Sequence, residues 1–182
     1  MQEFTVQRTS HTSDEVWFLE HEPVYTYGIK TSKDDIPENT QLPLLKSDRG
    51  GEITFHGPGQ LVIYPLLDLK RRSIKPREFI SKFQNAILIS LSDYQSNLII
   101  NNDDPGIYHE NKKLVSFGLK IAKKGTYHGA SINISMDLRP WNEVTICGNN
   151  QTEAIDLEKL GCNNSLSEIR KSIQKNLSKR FE

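Results

Sequence analysis

The chain has 182 residues, with 23 lysines and arginines balanced by 23 aspartates and glutamates, so its formal net charge at pH 7 is zero. This balance supplies no overall field that would favour nucleic acid or an anionic membrane surface as a partner. No apolar run approaches the ~20 residues of a membrane-spanning helix, and the N-terminus lacks the basic start and apolar core of a secretion signal. We therefore expect a cytoplasmic protein, folded as a single domain over residues 1–182.

The first half of the chain carries strand and helix signals in alternation. EVWFLE at 15–20 is short, apolar and rich in aromatic and β-branched residues, and QLVIYPLLDL at 60–69 is a longer apolar run broken by Pro65. Both runs predict strands. Between residues 75 and 94 apolar side chains recur at spacings of three and four, and Pro76 suits a first helical turn, which predicts an amphipathic helix.

The second half predicts paired strands followed by a helix. KKLVSFGLKIA at 112–122 and TYHGASINISMD at 126–137 are the two long strand candidates. In the later one, apolar residues alternate with polar ones, the period-two pattern of a strand with one face buried. Ser165 and Glu168 form a capping box that opens a final amphipathic helix. Together these elements predict an α+β fold, with a mixed or largely antiparallel β-sheet flanked by helices.

The stretch RGGEITFHGPGQ at 49–60 places four glycines in twelve positions. Its spacing matches neither GxGxxG nor GxxxxGK[ST], so a nucleotide loop is not predicted. One interpretation is a pair of tight turns that bracket the short strand EITF. The other is a binding site, because Arg49 and His56 would put an anion-binding fork and a titratable imidazole beside exposed backbone.

A lysine and two cysteines are candidates for chemistry. Lys113 heads an apolar run, either as a strand-start lysine that snorkels into water or, if partly desolvated, as a general base or the partner of a thiolate. Cys147 and Cys162 each lie beside a glycine, and the residues alone do not separate a reactive thiol from a small buried side chain. Without a secretion signal, both are expected to be free thiols. The five histidines are dispersed and no CxxC or HxxxH spacing occurs, so no metal site is predicted.

Several long motifs occur in a fixed order: RGGEITFHGPGQLVIYPLLDL, PGIYHENKKLVSFGLKI, TYHGASINISMDLRPW and ICG. With EHEPVYTYG at 20–28, they resemble the motifs of the octanoyltransferases, also called lipoyl(octanoyl) transferases, from about Asp14 through Cys147. The resemblance implies the catalytic fold shared with lipoate and biotin protein ligases, and a cytoplasmic acyltransferase that needs no nucleotide, metal or organic cofactor. It implies transfer of the octanoyl group from octanoyl-acyl carrier protein to a lysine of the lipoyl domains of 2-oxoacid dehydrogenases and of the glycine cleavage H protein. This is the first step of endogenous protein lipoylation.

The resemblance also implies site residues. Cys147 matches the family's nucleophilic cysteine and Lys113 its catalytic lysine, whereas Cys162 has no such role. The implied substrate-binding residues are Arg49, Gly50, Gly51, Glu52, Ile53, Thr54, Phe55, His56, Ser116, Phe117, Gly118, Gly129, Ala130 and Ser131. Phe55 stands where the family often has tyrosine, a loss of one hydroxyl that we expect to matter little.

One departure from the family lies at the N-terminus. The family usually has a further strand before the segment that corresponds to MQEFTVQRTS, and that strand is absent here. We expect either a misassigned start codon or a sheet without one edge strand. All the site motifs lie downstream of this point.

The implied mechanism uses Cys147 as the nucleophile and Lys113 as the group that moves protons, through an octanoyl-enzyme thioester. The glycine-lined walls are expected to admit the acyl chain close to the backbone. Three other functions stay open: an ATP-dependent lipoate ligase on the same fold, a noncatalytic binder of lipoyl domains or acyl carriers, and a cysteine hydrolase that releases free octanoate.

Overall fold

A computed structural model describes residues 1–37, 40–144 and 152–181, and the predicted nucleophile Cys147 lies outside these ranges. The helices are α1 (Gln2–Gln7), α2 (Pro76–Ser92) and α3 (Leu166–Phe181). The strands are β1 (Glu15–Leu19), β2 (Val24–Tyr27), β3 (Leu44–Lys46), β4 (Ile53–His56), β5 (Gln60–Leu66), β6 (Leu98–Asn101), β7 (Gly106–His109), β8 (Lys112–Ala122), β9 (Gly125–Asn133) and β10 (Glu153–Ala154). Two short 3-10 helices lie at Lys33–Asp35 and Arg139–Glu143.

The strands form a large and a small sheet. In the large sheet, β1, β5, β9, β8, β7 and β6 lie side by side with antiparallel pairing, and β10 adds to β8 in parallel. In the small sheet, the central β2 is parallel to β3 and antiparallel to β4. The predicted α+β architecture with a mixed sheet flanked by helices is confirmed.

Helices α2 and α3 pack on one face of the large sheet and form the main core with it. Phe79, Phe83 and Ile87 of α2 are fully buried because their spacing puts them on one helical face. Pro76 occupies the first helical position, as predicted. The capping box predicted for α3 is present, since the Ser165 N–H donates to Glu168 Oε2 at 2.8 Å.

The opposite face of the large sheet carries smaller side chains, and these leave room for a cavity. The register places Ser131 of β9 between Val62 of β5 and Ser116 of β8. Two residues away along these strands, Gly129 of β9 lies opposite Gly118 of β8. Because side chains alternate between the faces of a strand, these residues point away from the helices.

The half-buried strand predicted for 126–137 is wrong in two respects. The strand β9 ends at Asn133, and every one of its residues is buried, including the polar ones. Asn133 accepts a hydrogen bond from Gln60 Nε2 at 3.0 Å and donates one to the carbonyl of Ile155 at 3.0 Å. The alternation of apolar and polar residues in β9 therefore reflects a buried polar network and a cavity, and not a solvent-exposed face.

The helices of the described ranges are all too short or too polar to cross a lipid bilayer.

Candidate active site

A cavity of about 640 Å³ is lined by residues of both sheets, of helix α2 and of the loops between these elements. Every predicted substrate-binding residue except Phe55 lines it, and so does Lys113. Motifs that are more than sixty positions apart in sequence therefore meet around one space. Cys147 lies outside the described residues, so the geometry given below is that of the other site residues.

Lys113 begins the buried part of β8, and its side chain is only 3% exposed. Its ammonium nitrogen lies 2.5 Å from Asp104 Oδ1 and 5.5 Å from the centre of the Tyr108 ring. Tyr108 in turn donates its hydroxyl hydrogen to Asp104 Oδ2. The interpretation of Lys113 as a lysine that snorkels into water is therefore wrong, because the side chain is held inside by a carboxylate and an aromatic face.

Asp104 was missed by sequence reasoning. It lies in the turn before β7, and the antiparallel pairing of β7 with β8 brings that turn back to Lys113. A local shift in register between Ile107 and Tyr108 adjusts which residues face each other. The only sequence signal was a pair of aspartates before Pro105, which is equally typical of a solvated turn.

Glu52 faces the cavity with an unusual carboxylate. Its Oε2 atom is buried and has no hydrogen-bond partner within the described ranges. Burial, followed by the negative charges of Asp35 and Asp104, raises the pKa of Glu52, while the positive charges of Lys113 and Lys30 oppose that rise. The carboxylate thus belongs to the same electrostatic environment as the Lys113 ammonium.

Arg49, which the sequence predicted as an anion-binding fork, is held by hydrogen bonds to the protein itself. Arg49 is buried, and its guanidinium donates to the carbonyl of Thr26 at 2.8 Å, to the Thr26 hydroxyl at 3.0 Å and to the carbonyl of Gly50 at 3.0 Å. These bonds tie the glycine-rich turn to β2. Arg49 therefore supports the wall of the cavity through the backbone.

His56 is also not the titratable group that was predicted. Its Nδ1 lies 2.7 Å from Gln60 Oε1, and the residue is buried. Burial lowers its pKa to about 3, despite the opposing effect of that hydrogen bond. The imidazole is therefore neutral throughout the physiological pH range.

Three histidines that look dispersed in sequence, His21, His56 and His128, line this cavity. His128 has a φ of +56°, which is uncommon for a residue with a side chain, and its Nε2 lies 2.8 Å from Asp48 Oδ1. Burial lowers the pKa of His128 in spite of this carboxylate. Among the residues that the structure describes, no group of three or more histidine, cysteine, aspartate or glutamate side chains is arranged to hold a metal ion.

The fold itself requires glycine at two of the cavity-lining positions. A Cβ at Gly129 would lie 1.9 Å from the carbonyl oxygen of Ile63, so the close approach of β5 and β9 requires glycine there. Gly51 has a φ of +86°, which a residue with a side chain adopts only with strain. A turn therefore explains Gly51 and close packing explains Gly129, and β4 spans Ile53–His56, one residue later than the predicted strand EITF.

Phe55 is the exception among the predicted binding residues. Its ring packs against Tyr25 and Trp141, with centroid separations of 5.5 and 6.3 Å, and does not line the cavity. With Tyr25 and Trp141 it forms a second hydrophobic cluster, separate from the main core. Cys162 is buried in the main core, in keeping with its having no predicted role.

The family model of the lipoyl protein ligase A/B catalytic domain matches residues 1–178. The chain is 41% identical to an octanoyltransferase of Laribacter hongkongensis over 181 residues, which cover all of this chain and 87% of that protein. It is 36% identical to an octanoyltransferase of Nitrosococcus oceani over 181 residues, which cover all of this chain and 81% of that protein.

Two solved structures show a similar fold. A bipartite lipoate protein ligase from Thermoplasma acidophilum is 14% identical with a TM-score of 0.77, and the match covers 98% of this chain and 75% of that one. The biotin protein ligase from Aquifex aeolicus in complex with biotin and ATP is 16% identical with a TM-score of 0.60, covering 86% of this chain and 69% of that one.

Proposed function

Since the chain belongs to the lipoyl protein ligase A/B catalytic domain family, and within it to the octanoyltransferases, we propose that it transfers an octanoyl group from octanoyl-acyl carrier protein to a lysine of a lipoyl domain. The acceptors are the lipoyl domains of 2-oxoacid dehydrogenases and the glycine cleavage H protein, and residues 1–182 act as one cytoplasmic acyltransferase domain. The observation that supports this most directly is the buried Lys113 with its Asp104 counter-ion, facing a cavity that the motif residues line.

In the first half-reaction, Cys147 is the nucleophile and Lys113 is its partner. An ordinary thiol with a pKa of about 8.5 is only a few per cent thiolate at pH 7, and a nearby ammonium increases that fraction. The thiolate attacks the carrier's thioester carbonyl, the new C–S bond forms, and the old one breaks. Lys113 gives its proton to the departing pantetheine thiolate and becomes neutral. The assignment of Cys147 rests on the ICG motif.

In the second half-reaction, the ε-amine of the acceptor lysine attacks the octanoyl-enzyme. The amide C–N bond forms, the C–S bond to Cys147 breaks, and neutral Lys113 accepts a proton from the attacking nitrogen. Exchange of a thioester for an amide is favourable without ATP, so no cofactor enters the reaction.

The cavity supports an acyl ligand in size and composition. Its volume of about 640 Å³ accommodates a straight eight-carbon chain, and Val62, Ile80 and Phe117 supply apolar wall. Burial of about seven methylene and methyl groups at ~0.8 kcal/mol each contributes on the order of 5 kcal/mol before ordering costs.

The test is to mix the purified protein with octanoyl-acyl carrier protein, omit the acceptor, and take an intact mass. We expect one octanoyl adduct on the wild type and on Cys162→Ala, and none on Cys147→Ala. Subsequent addition of an apo lipoyl domain is expected to move the octanoyl group to that domain. No adduct on the wild type with the carrier thioester intact would refute the acyl-enzyme, and acylation of the lipoyl domain by lipoate and ATP would favour the ligase instead.

A further inference from the structure

The proposed acyl transfer leaves one proton without an acceptor. A protonated lysine amine carries three hydrogens on nitrogen, and the product amide keeps one, so two protons must leave. Neutral Lys113 takes up one of them and becomes an ammonium. Cys147 leaves as a thiolate, so the starting pair of thiolate and ammonium is restored. The second proton needs another acceptor, which a base in the cavity can supply.

Glu52 offers a carboxylate for this proton. It lines the same cavity as Lys113 and Asp104, and its Oε2 is buried without a hydrogen-bond partner among the described residues. A buried carboxylate oxygen is costly unless a donor satisfies it, and at a ligand cavity a bound ligand can bring that donor. The acceptor lysine's ammonium group is such a donor.

The surroundings of Glu52 suit a proton acceptor more than a permanent structural anion. The charged groups that act on it come from three separate parts of the chain: Asp35 and Asp104 carry negative charge, and Lys113 and Lys30 carry positive charge. Burial and the two aspartates raise the pKa of Glu52, which brings its basicity closer to neutrality than that of an exposed glutamate.

Resting on the proposed acyl transfer, we infer that Glu52 binds the ammonium of the incoming acceptor lysine in the cavity and takes the first of its two protons. The ammonium becomes a neutral amine and the carboxylate becomes a carboxylic acid. The amine then attacks the octanoyl thioester, the C–N bond forms as the C–S bond breaks, and the second proton passes to neutral Lys113. Glu52 returns its proton to solvent before the next cycle. Glu52 is thus a catalytic residue for the second half-reaction only.

The discriminating variant is Glu52→Gln, which keeps the size of the side chain and cannot accept a proton. The two half-reactions are measured separately, the first by intact mass with octanoyl-acyl carrier protein and the second by mixing isolated octanoyl-enzyme with an apo lipoyl domain. We expect Glu52→Gln to form the octanoyl-enzyme within about twofold of the wild-type rate and to transfer it to the lipoyl domain on the order of 100-fold more slowly at pH 7. Glu22→Gln, the same change at an exposed residue outside the cavity lining, is expected to match the wild type in both steps.

Two further readouts separate a base from a merely structural glutamate. The transfer rate of Glu52→Gln should rise steadily with pH towards the lysine's own pKa of about 10.4, because the amine then arrives already neutral. Hydroxylamine, which is neutral at pH 7, should discharge the octanoyl group from both enzymes at similar rates.

Several outcomes would overturn the inference. These are an unchanged transfer rate, a deficit that does not recover at high pH, and an equal deficit with hydroxylamine. Failure of Glu52→Gln to accept the octanoyl group, with the wild type active, would place Glu52 in the first step instead. If the wild type itself forms no octanoyl-enzyme, the proposed function fails and this inference falls with it.

Discussion

Lys113 Nζ and Asp104 Oδ1 lie 2.5 Å apart on the wall of one cavity, with the lysine side chain almost fully buried and the aspartate side chain 21% exposed. A buried ammonium is unfavourable unless an anion compensates it. Asp104 is that anion, and its second oxygen accepts a hydrogen bond from Tyr108. Among the described residues, Asp104 in the turn before β7 and Tyr108 of β7 hold the proposed catalytic lysine in position.

Replacement of Asp104 by asparagine keeps the shape of the side chain and removes its charge. We expect the free energy of unfolding to fall by about 1–3 kcal/mol, because hydrogen bonds to charged groups contribute about that much and the buried ammonium loses its neighbour. We also expect octanoyl-enzyme formation to slow on the order of tenfold, since Lys113 is no longer held in one place. Urea unfolding and single-turnover mass spectrometry measure the two effects.

Asp103→Asn is the matched control, since it makes the same change one residue away on an exposed side chain that forms no ion pair with the described residues. It is expected to change stability by less than about 0.5 kcal/mol. If the two variants behaved alike, the ion pair would have no special role in holding Lys113.

Ser131 provides a test of where the acyl chain lies. It lines the cavity on the middle strand β9, flanked in register by Val62 and Ser116. Ser131→Leu would push a branched side chain into that space. We therefore expect the rate of octanoyl transfer to fall at least about tenfold relative to the rate of butyryl transfer, because a loss of one or two methylene contacts has an effect of that size. Rates with octanoyl and butyryl acyl carrier protein, measured side by side, give the ratio.

Ser131→Ala should leave both rates close to those of the wild type, because it adds no volume. An equal loss of octanoyl and butyryl transfer in Ser131→Leu would show that the chain does not pass this strand, or that the variant is damaged as a whole.

Much of the fold follows from local sequence rules. The periodicity of Phe79, Phe83 and Ile87 and the capping box at Ser165 and Glu168 predicted α2 and α3 because helix signals lie within a few positions of one another. The family motifs predicted the cavity-lining residues for a similar reason, because each motif is a continuous stretch of sequence.

The rest depends on partners that are distant in sequence. The role of Asp104 depends on the hairpin that places it beside Lys113. The burial of Asn133 likewise depends on its hydrogen bonds with Gln60 and Ile155. The burial that keeps His56 neutral is likewise a property of the folded surroundings. Patterns of one strand do not reveal what will cover its polar face.

The glycines of the cavity wall differ in what they tolerate. A Cβ at Gly129 would meet the Ile63 carbonyl oxygen at 1.9 Å, whereas a Cβ at Gly50 would meet the Leu119 carbonyl oxygen at 3.3 Å and nothing closer. We expect Gly129→Ala to destabilise the protein by on the order of 3 kcal/mol and Gly50→Ala by less than about 1 kcal/mol. Thermal and urea unfolding of the two variants test this, and similar stabilities would mean that β5 and β9 can separate at little cost.

Asp14 joins three arginines and so connects segments far apart in the chain. Its carboxylate lies 2.7 Å from Arg8, 2.6 Å from Arg71 and 2.5 Å from Arg72, and its side chain is 7% exposed. Arg72 also donates to the carbonyl of Phe181 at the end of α3. The N-terminal segment, the connection from β5 to α2 and the last helix therefore meet at this carboxylate.

This arrangement predicts how stability depends on pH. Burial alone would raise the pKa of Asp14, but the Asp68 N–H, the hydrogen bond from Arg72 and the charges of Arg72 and Arg71 lower it below its ordinary value of 3.8. A group whose pKa is lower in the folded state stabilises the fold fully above its unfolded pKa and loses that contribution as the pH falls through the folded one. Asp14→Asn should therefore cost about 3 kcal/mol at pH 7, the lower end for breaking a buried ion pair.

Urea unfolding at a series of pH values compares the wild type, Asp14→Asn and Asp93→Asn, the last being the same change at an exposed residue. The gap between the wild type and Asp14→Asn is expected to stay constant from pH 7 down to about pH 4 and to shrink below the ordinary pKa of 3.8, where the wild-type carboxyl also takes up a proton. Asp93→Asn should follow the wild type within about 0.5 kcal/mol throughout. A gap that persisted unchanged at lower pH would mean that Asp14 acts by its shape and hydrogen bonds, and that the charges of the three arginines contribute little.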